Sequence, residues 1–96
     1  MGQKKENLFE ENKKFIDDFG DLLCTYRRMT RLSQEKLAEV LEISSNTISE
    51  TERGNRNSTV YNFYLFIHFF KISKEEVIKL LYDDKYIPDS IKQICK

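Results

Sequence analysis

The chain has 96 residues and a mass of 11.5 kDa, the size of one domain with a single hydrophobic core. A content of 40% hydrophobic and 12% aromatic residues suffices to bury a core, while 33% charge and a mean hydropathy of −0.59 describe a soluble surface, which excludes a disordered tail and a membrane protein. Sixteen basic residues balance sixteen acidic ones, and residues 1–19, 20–58 and 59–96 are each balanced to within one charge, so composition argues against a strongly basic nucleic-acid binder. Any case for DNA therefore rests on local arrangement.

The longest apolar stretch, Phe63–Phe70, contains His68 and falls far short of the ~20 residues a spanning helix needs, so no membrane partner is expected. The opening Met1-Gly2-Gln3-Lys4-Lys5-Glu6 lacks the apolar core of a secretory signal, and a cytoplasmic address is the expectation. One proline and three glycines leave little material for the turns of a β-sandwich and favour an all-helical domain. Cys24 and Cys95 are far apart and have no histidine nearby, so they are read as ordinary thiols; no metal and no cofactor is expected.

Along the first segment Leu8, Phe15, Ile16, Phe19, Leu22, Leu23 and Tyr26, with Asn12 among them, recur at the spacings of one helix face. A helix from near Asn7 is predicted, although Gly20 weakens it by roughly 1 kcal/mol relative to alanine and leaves open a separate turn or frayed arm before it. Ser33 then caps a short helix over 34–41, with Leu37, Val40 and Leu41 on one side. A third helix runs over about 45–53 and closes at Gly54; Ile48 is its one strongly apolar residue. Ser58 or Asn57 is the expected cap of a fourth helix reaching about Phe70. Ser73-Lys74-Glu75-Glu76 reads as a capping box for a fifth, with Val77, Leu80 and Leu81 inward, and Pro88–Ile94 offers one or two last turns. The expected organisation is an N-terminal extension (1–18), a helical domain (19–82) and a C-terminal tail (83–96).

The spacing of Gln34, Leu37, Ala38, Leu41, Ile43, Ile48, Glu52 and Gly54 describes two short helices meeting steeply across a tight turn. Leu37, Leu41, Ile43 and Ile48 fill the angle, and Ala38 sits where a larger side chain would force it open. The second of these helices turns a polar surface outward: Ser45, Asn46, Ser49 and Glu50. Small hydrogen-bonding residues on a protruding helix suit the major groove, where asparagine matches adenine and a carboxylate accepts from cytosine.

On these residues, with Leu32-Ser33-Gln34-Glu35-Lys36-Leu37-Ala38, Ile43-Ser44, Ile48-Ser49 and Glu52-Arg53-Gly54 as the matching text, the stretch from Phe19 to about Leu81 resembles the Cro/phage-repressor (XRE-type) helix-turn-helix family. The resemblance implies a compact five-helix bundle with an N-terminal helical extension and a short C-terminal helix. It implies base contacts from Ser44, Ser45, Asn46 and Glu50, and backbone contacts from Gln34, Thr47, Ser49, Arg56 and Asn57. It also implies an ion pair between Arg27 and Glu52 that joins two helices. Capping and solvation remain the plainer reading of Gln34, Ser45 and Asn46.

Three residues depart from the family pattern. Glu42 stands where the turn prefers glycine, Thr51 where a large apolar residue is common, and Glu50 brings a negative charge toward a negative groove, favourable only against a cytosine amino group or beside an arginine.

The fourth helix is apolar nearly all round. Val60, Phe63, Phe66, Ile67 and Phe70 form a core face, and Tyr61, Tyr64, Leu65, His68 and Phe69 a second one that a single core cannot also cover. Either the chain's own ends cover it (Tyr82, Tyr86, Ile87, Ile91 and Ile94, or Leu8, Phe9 and Phe15), or a second protomer does, giving a homodimer. The leading function is a sequence-specific double-stranded DNA-binding transcriptional regulator, in the first instance a repressor, with no enzymatic activity. The rival is a protein-interaction module on the same fold, antitoxin-like or bound to a regulatory protein partner.

Overall fold

The computed structural model describes the backbone of residues 2–92 and 94, and the side chains of residues 10–92 and 94. The longest element is α1 (Gly2–Met29), followed by α2 (Gln34–Leu41), α3 (Ser45–Glu52), α4 (Val60–Phe70), α5 (Lys74–Leu81), a 3-10 turn (Asp84–Tyr86) and α6 (Asp89–Lys92). All described regular structure is helical, an architecture that agrees with the all-helical bundle expected.

Gly20 does not interrupt α1. The helix runs through it, and the missing side chain lets α1 lie against the end of α3: a Cβ there would stand 2.4 Å from the Thr51 carbonyl oxygen and 2.9 Å from that of Glu52. The propensity lost at one glycine is outweighed by the packing it permits.

Serine or threonine caps set the starts of α2 to α5. Ser33, Ser44, Thr59 and Ser73 are all extended, and each accepts a hydrogen bond from the N–H three residues on. Thr59, not Ser58 or Asn57, caps α4. The Ser58 hydroxyl donates instead to the Thr59 carbonyl, and the Asn57 amide donates to Asn12. Glu42 ends α2 at φ 59°, the left-handed conformation that the turn requires, and the next N–H, from Ile43, reaches Ala38 O at 3.0 Å.

The core is Phe19 and Leu23 of α1, Leu37 and Ala38 of α2, Ile48 of α3, Phe66 and Phe70 of α4, Ile72, and Leu80 of α5. Phe19 meets Phe63 edge-on at 4.9 Å between ring centroids. Three residues assigned inward by periodicity lie outside: Val40 (46% exposed), Val60 (87%) and Leu81 (50%). Each stands at the rim of its helix's apolar stripe, and in helices this short a rim residue has no neighbouring element to close over it.

The C-terminal turn packs on α1. Tyr86 meets Phe15 edge-on at 5.1 Å, and its hydroxyl donates to Asp18 Oδ2 at 2.6 Å. It does not cover the second face of α4, where Tyr61, Tyr64, His68 and Phe69 stay exposed and Leu65 is half-buried. Tyr82, Ile91 and Ile94 are exposed as well, and Ile87 is half-buried. The side chains of Leu8 and Phe9, and Cys95 as a whole, lie outside the described residues. No described helix is long and apolar enough to cross a membrane.

Candidate nucleic-acid interface

α3 carries one apolar anchor, so what holds it in place is largely polar. Glu52, at its end, is 5% exposed at the side chain and accepts from three groups on two oxygens. Arg27 of α1 donates through Nε to Oε2 and through Nη2 to Oε1 at 3.0 Å, while Gln34 of α2 donates through Nε2 to Oε1 at 2.9 Å. The remaining Arg27 nitrogen, Nη1, reaches the Leu32 carbonyl at 2.7 Å, which ties down the turn before α2. One carboxylate thus fastens α1, α2 and α3 together. Burial alone would raise the Glu52 pKa, but the hydrogen bonds from Arg27 and Gln34 outweigh it and hold the carboxyl below its ordinary value. The Glu52 hydrogen bond in turn raises Arg27.

Thr51 sits fully buried beside this network, 1% exposed, and its hydroxyl has no partner among the described residues. Although it stands where a large apolar residue is common, Thr51 is buried as fully as Leu37 and Ile48 of the core. It is the Thr51 backbone carbonyl that lies at the close approach of α1 and α3 beside Gly20.

Beyond that network α3 faces outward. Ser45 and Asn46 are exposed in its first turn; Thr47, Ser49 and Glu50 are half-buried. The Ser44 hydroxyl is committed to capping, accepting from the Thr47 N–H at 3.0 Å and lying 2.8 Å from the Thr47 hydroxyl. Glu50 stands beside an arginine, one of the two settings expected for it: Arg53, 3.7 Å away, which also donates to the Ser49 hydroxyl. The i, i+3 and i, i+4 spacings of these residues on one helix were the signal for it. Gln34 uses one of its two amide hydrogens on Glu52, and the second has no acceptor among the described residues. After α3, Gly54 turns the chain at φ 77°, Arg56 is exposed, and Asn57 bonds Asn12 of α1 at 3.1 Å.

Gln34 and the exposed residues among 44–57 are therefore carried together by the α2–turn–α3 unit and the loop that follows it. The aromatic residues of α4 belong to a different helix and stand apart from that unit in the chain. His68 lies against Tyr64, ring centroids 4.5 Å apart and planes tilted by 54°, and no group of metal-ligating residues forms among the described residues.

No significant match is found among curated proteins or among solved structures. A family model does match, the helix-turn-helix family HTH_3, over residues 25–77, which takes in α2, α3, the turn between them and the whole of α4. That stretch is more than half of the chain and contains Gln34, the Arg27–Glu52 pair and every residue of α3, so this protein belongs to the helix-turn-helix DNA-binding family of the Cro/C1, or XRE, type.

Proposed function

We propose that the protein is a sequence-specific transcriptional regulator that sets α3 into the major groove of double-stranded DNA. Ser45, Asn46 and Glu50 face base edges, with Ser44 beside them at the cap. Gln34, Thr47, Ser49, Arg56 and Asn57 meet the backbone. The observation that carries this reading is the exposure of Ser45 and Asn46 on a helix whose opposite end is fastened by Arg27, Gln34 and Glu52. A rigid polar tip can read bases without first being ordered. Occupying a duplex is enough to block a polymerase, so repression is the effect we assign. DNA reading belongs to residues 19–82, flanked by the extension 1–18 and the tail 83–96.

The exposed ring stripe of α4 supports two further parts of the proposal. Tyr61, Tyr64 and Phe69 are 65%, 54% and 38% exposed, a face suited to a second copy of the chain, and a two-fold dimer would present two recognition helices to a symmetric site. The same face favours the second reading, a regulator bound to another protein. Mobility-shift and light-scattering measurements separate these roles. Asn46→Ala with Arg56→Ala is expected to abolish specific DNA binding and leave the oligomeric state unchanged, whereas Tyr64→Glu with Phe69→Ser is expected to dissociate the dimer. Full DNA binding by the first variant would overturn the assignment of α3, and a wild-type monomer at tens of micromolar would overturn the dimer.

A further inference from the structure

The part of α1 that precedes the family match contacts the segment that follows α3. Lys13 donates to Asp17 Oδ1 at 2.8 Å and to the Gly54 carbonyl at 2.7 Å. One residue earlier, Asn12 Oδ1 accepts from Asn57 at 3.1 Å. Two adjacent residues of one helix therefore pin the chain on both sides of Asn55 and Arg56. Gly54 is shaped for this contact: a Cβ there would lie 2.0 Å from Asp17 Oδ1 and 3.1 Å from Lys13 Nζ.

These contacts add little to fold stability. The Lys13 and Asp17 side chains are 39% and 48% exposed, and ion pairs that open to water contribute little. What they do fix is where the loop stands. Arg56 is exposed, and no ion pair holds it among the described residues. A loop ordered in advance spares the ordering cost on docking.

We infer that Lys13, with Asn12 beside it, is a positioning residue for DNA binding: the N-terminal part of α1 acts as a strut that holds the Asn55–Asn57 loop so that Arg56 meets a phosphate. This rests on the reading of the protein as a DNA-binding regulator.

The test uses the full chain, the duplex enriched from a random pool, and fluorescence anisotropy across a salt series, with thermal melting recorded for each variant. Lys13→Met is expected to weaken binding about fivefold, within the coupling seen between residues of one network. It should also lower the slope of log affinity against log salt by about 1, the signature of one lost phosphate contact. Lys13→Arg should restore both. On an Arg56→Ala background the loss from Lys13→Met should shrink to under about twofold, because both changes remove the same contact. Asn12→Ala changes no charge and is expected to weaken binding about twofold to threefold, so a Lys13 variant that failed to fold would leave the strut open to test. The inference is overturned if Arg56→Ala weakens binding while Lys13→Met and Asn12→Ala bind as wild type. It is equally overturned if the Lys13→Met loss is the same with and without Arg56. Should neither Asn46→Ala nor Arg56→Ala weaken binding, the DNA reading falls and takes the strut with it.

Discussion

Glu52 shows how much of this small fold hangs on one side chain. It is buried, it is charged, and its partners come from the two other helices that frame the recognition unit. Removing it leaves Arg27, 12% exposed at the side chain, without its counter-charge, so Glu52→Ala is expected to cost about 3 kcal/mol in denaturant unfolding. The pH dependence has a definite sign. The folded state holds this carboxyl below its ordinary value of 4.5, so below that pH the unfolded chain binds the proton first. The stabilisation is therefore complete above about pH 4.5 and is lost as the pH falls through the folded value. Glu52→Gln should flatten that acid limb; an unchanged limb would show that other carboxylates govern it. The Arg27–Glu52 pair was legible because it follows from the resemblance. The Gln34 hydrogen bond was not, since the sequence reading reserved that amide for phosphate and nothing in its spacing marks a shared carboxylate.

Among the elements, local chemistry and long-range contacts divide cleanly. Ser33 and Ser73 announce α2 and α5 because each precedes an uninterrupted run of helix formers. The cap of α4 was ambiguous because Asn57, Ser58 and Thr59 are three consecutive residues of capping type, and a tertiary partner for Asn57, Asn12 of α1, decides between them. Gly20 was misleading for the same reason: its helix propensity is local, whereas its contact lies across the fold at Thr51 and Glu52. Glu42 is the converse case, a departure from the family pattern whose left-handed backbone could be read from the turn alone. Since a side chain at φ 59° is strained, Glu42→Gly is expected to raise stability by about 1 kcal/mol without altering DNA affinity, as read by melting and anisotropy. A loss of stability would mean that the Glu42 side chain holds the turn in some other way.

Over the whole molecule, charge is neutral and function lies in placement. With no surplus of positive charge, the proposed DNA binding would rest on a few aimed groups: Asn46 and its neighbours for bases, and Gln34, Arg56 and the α3 exit loop for phosphates. The all-round apolar pattern of α4 foretold a second exposed face, but the path of the tail was not legible, because Tyr86 turns to α1 for one aromatic ring and one carboxylate supplied by Phe15 and Asp18. Whether α3 reads duplex DNA is decided by selection from random duplexes with wild-type protein, followed by binding to the selected pool at low and at high salt. Enrichment of a two-fold symmetric sequence with half-site centres ~34 Å apart, bound less tightly as salt rises, is expected. A pool that stays random, with binding indifferent to salt, would contradict that assignment of α3.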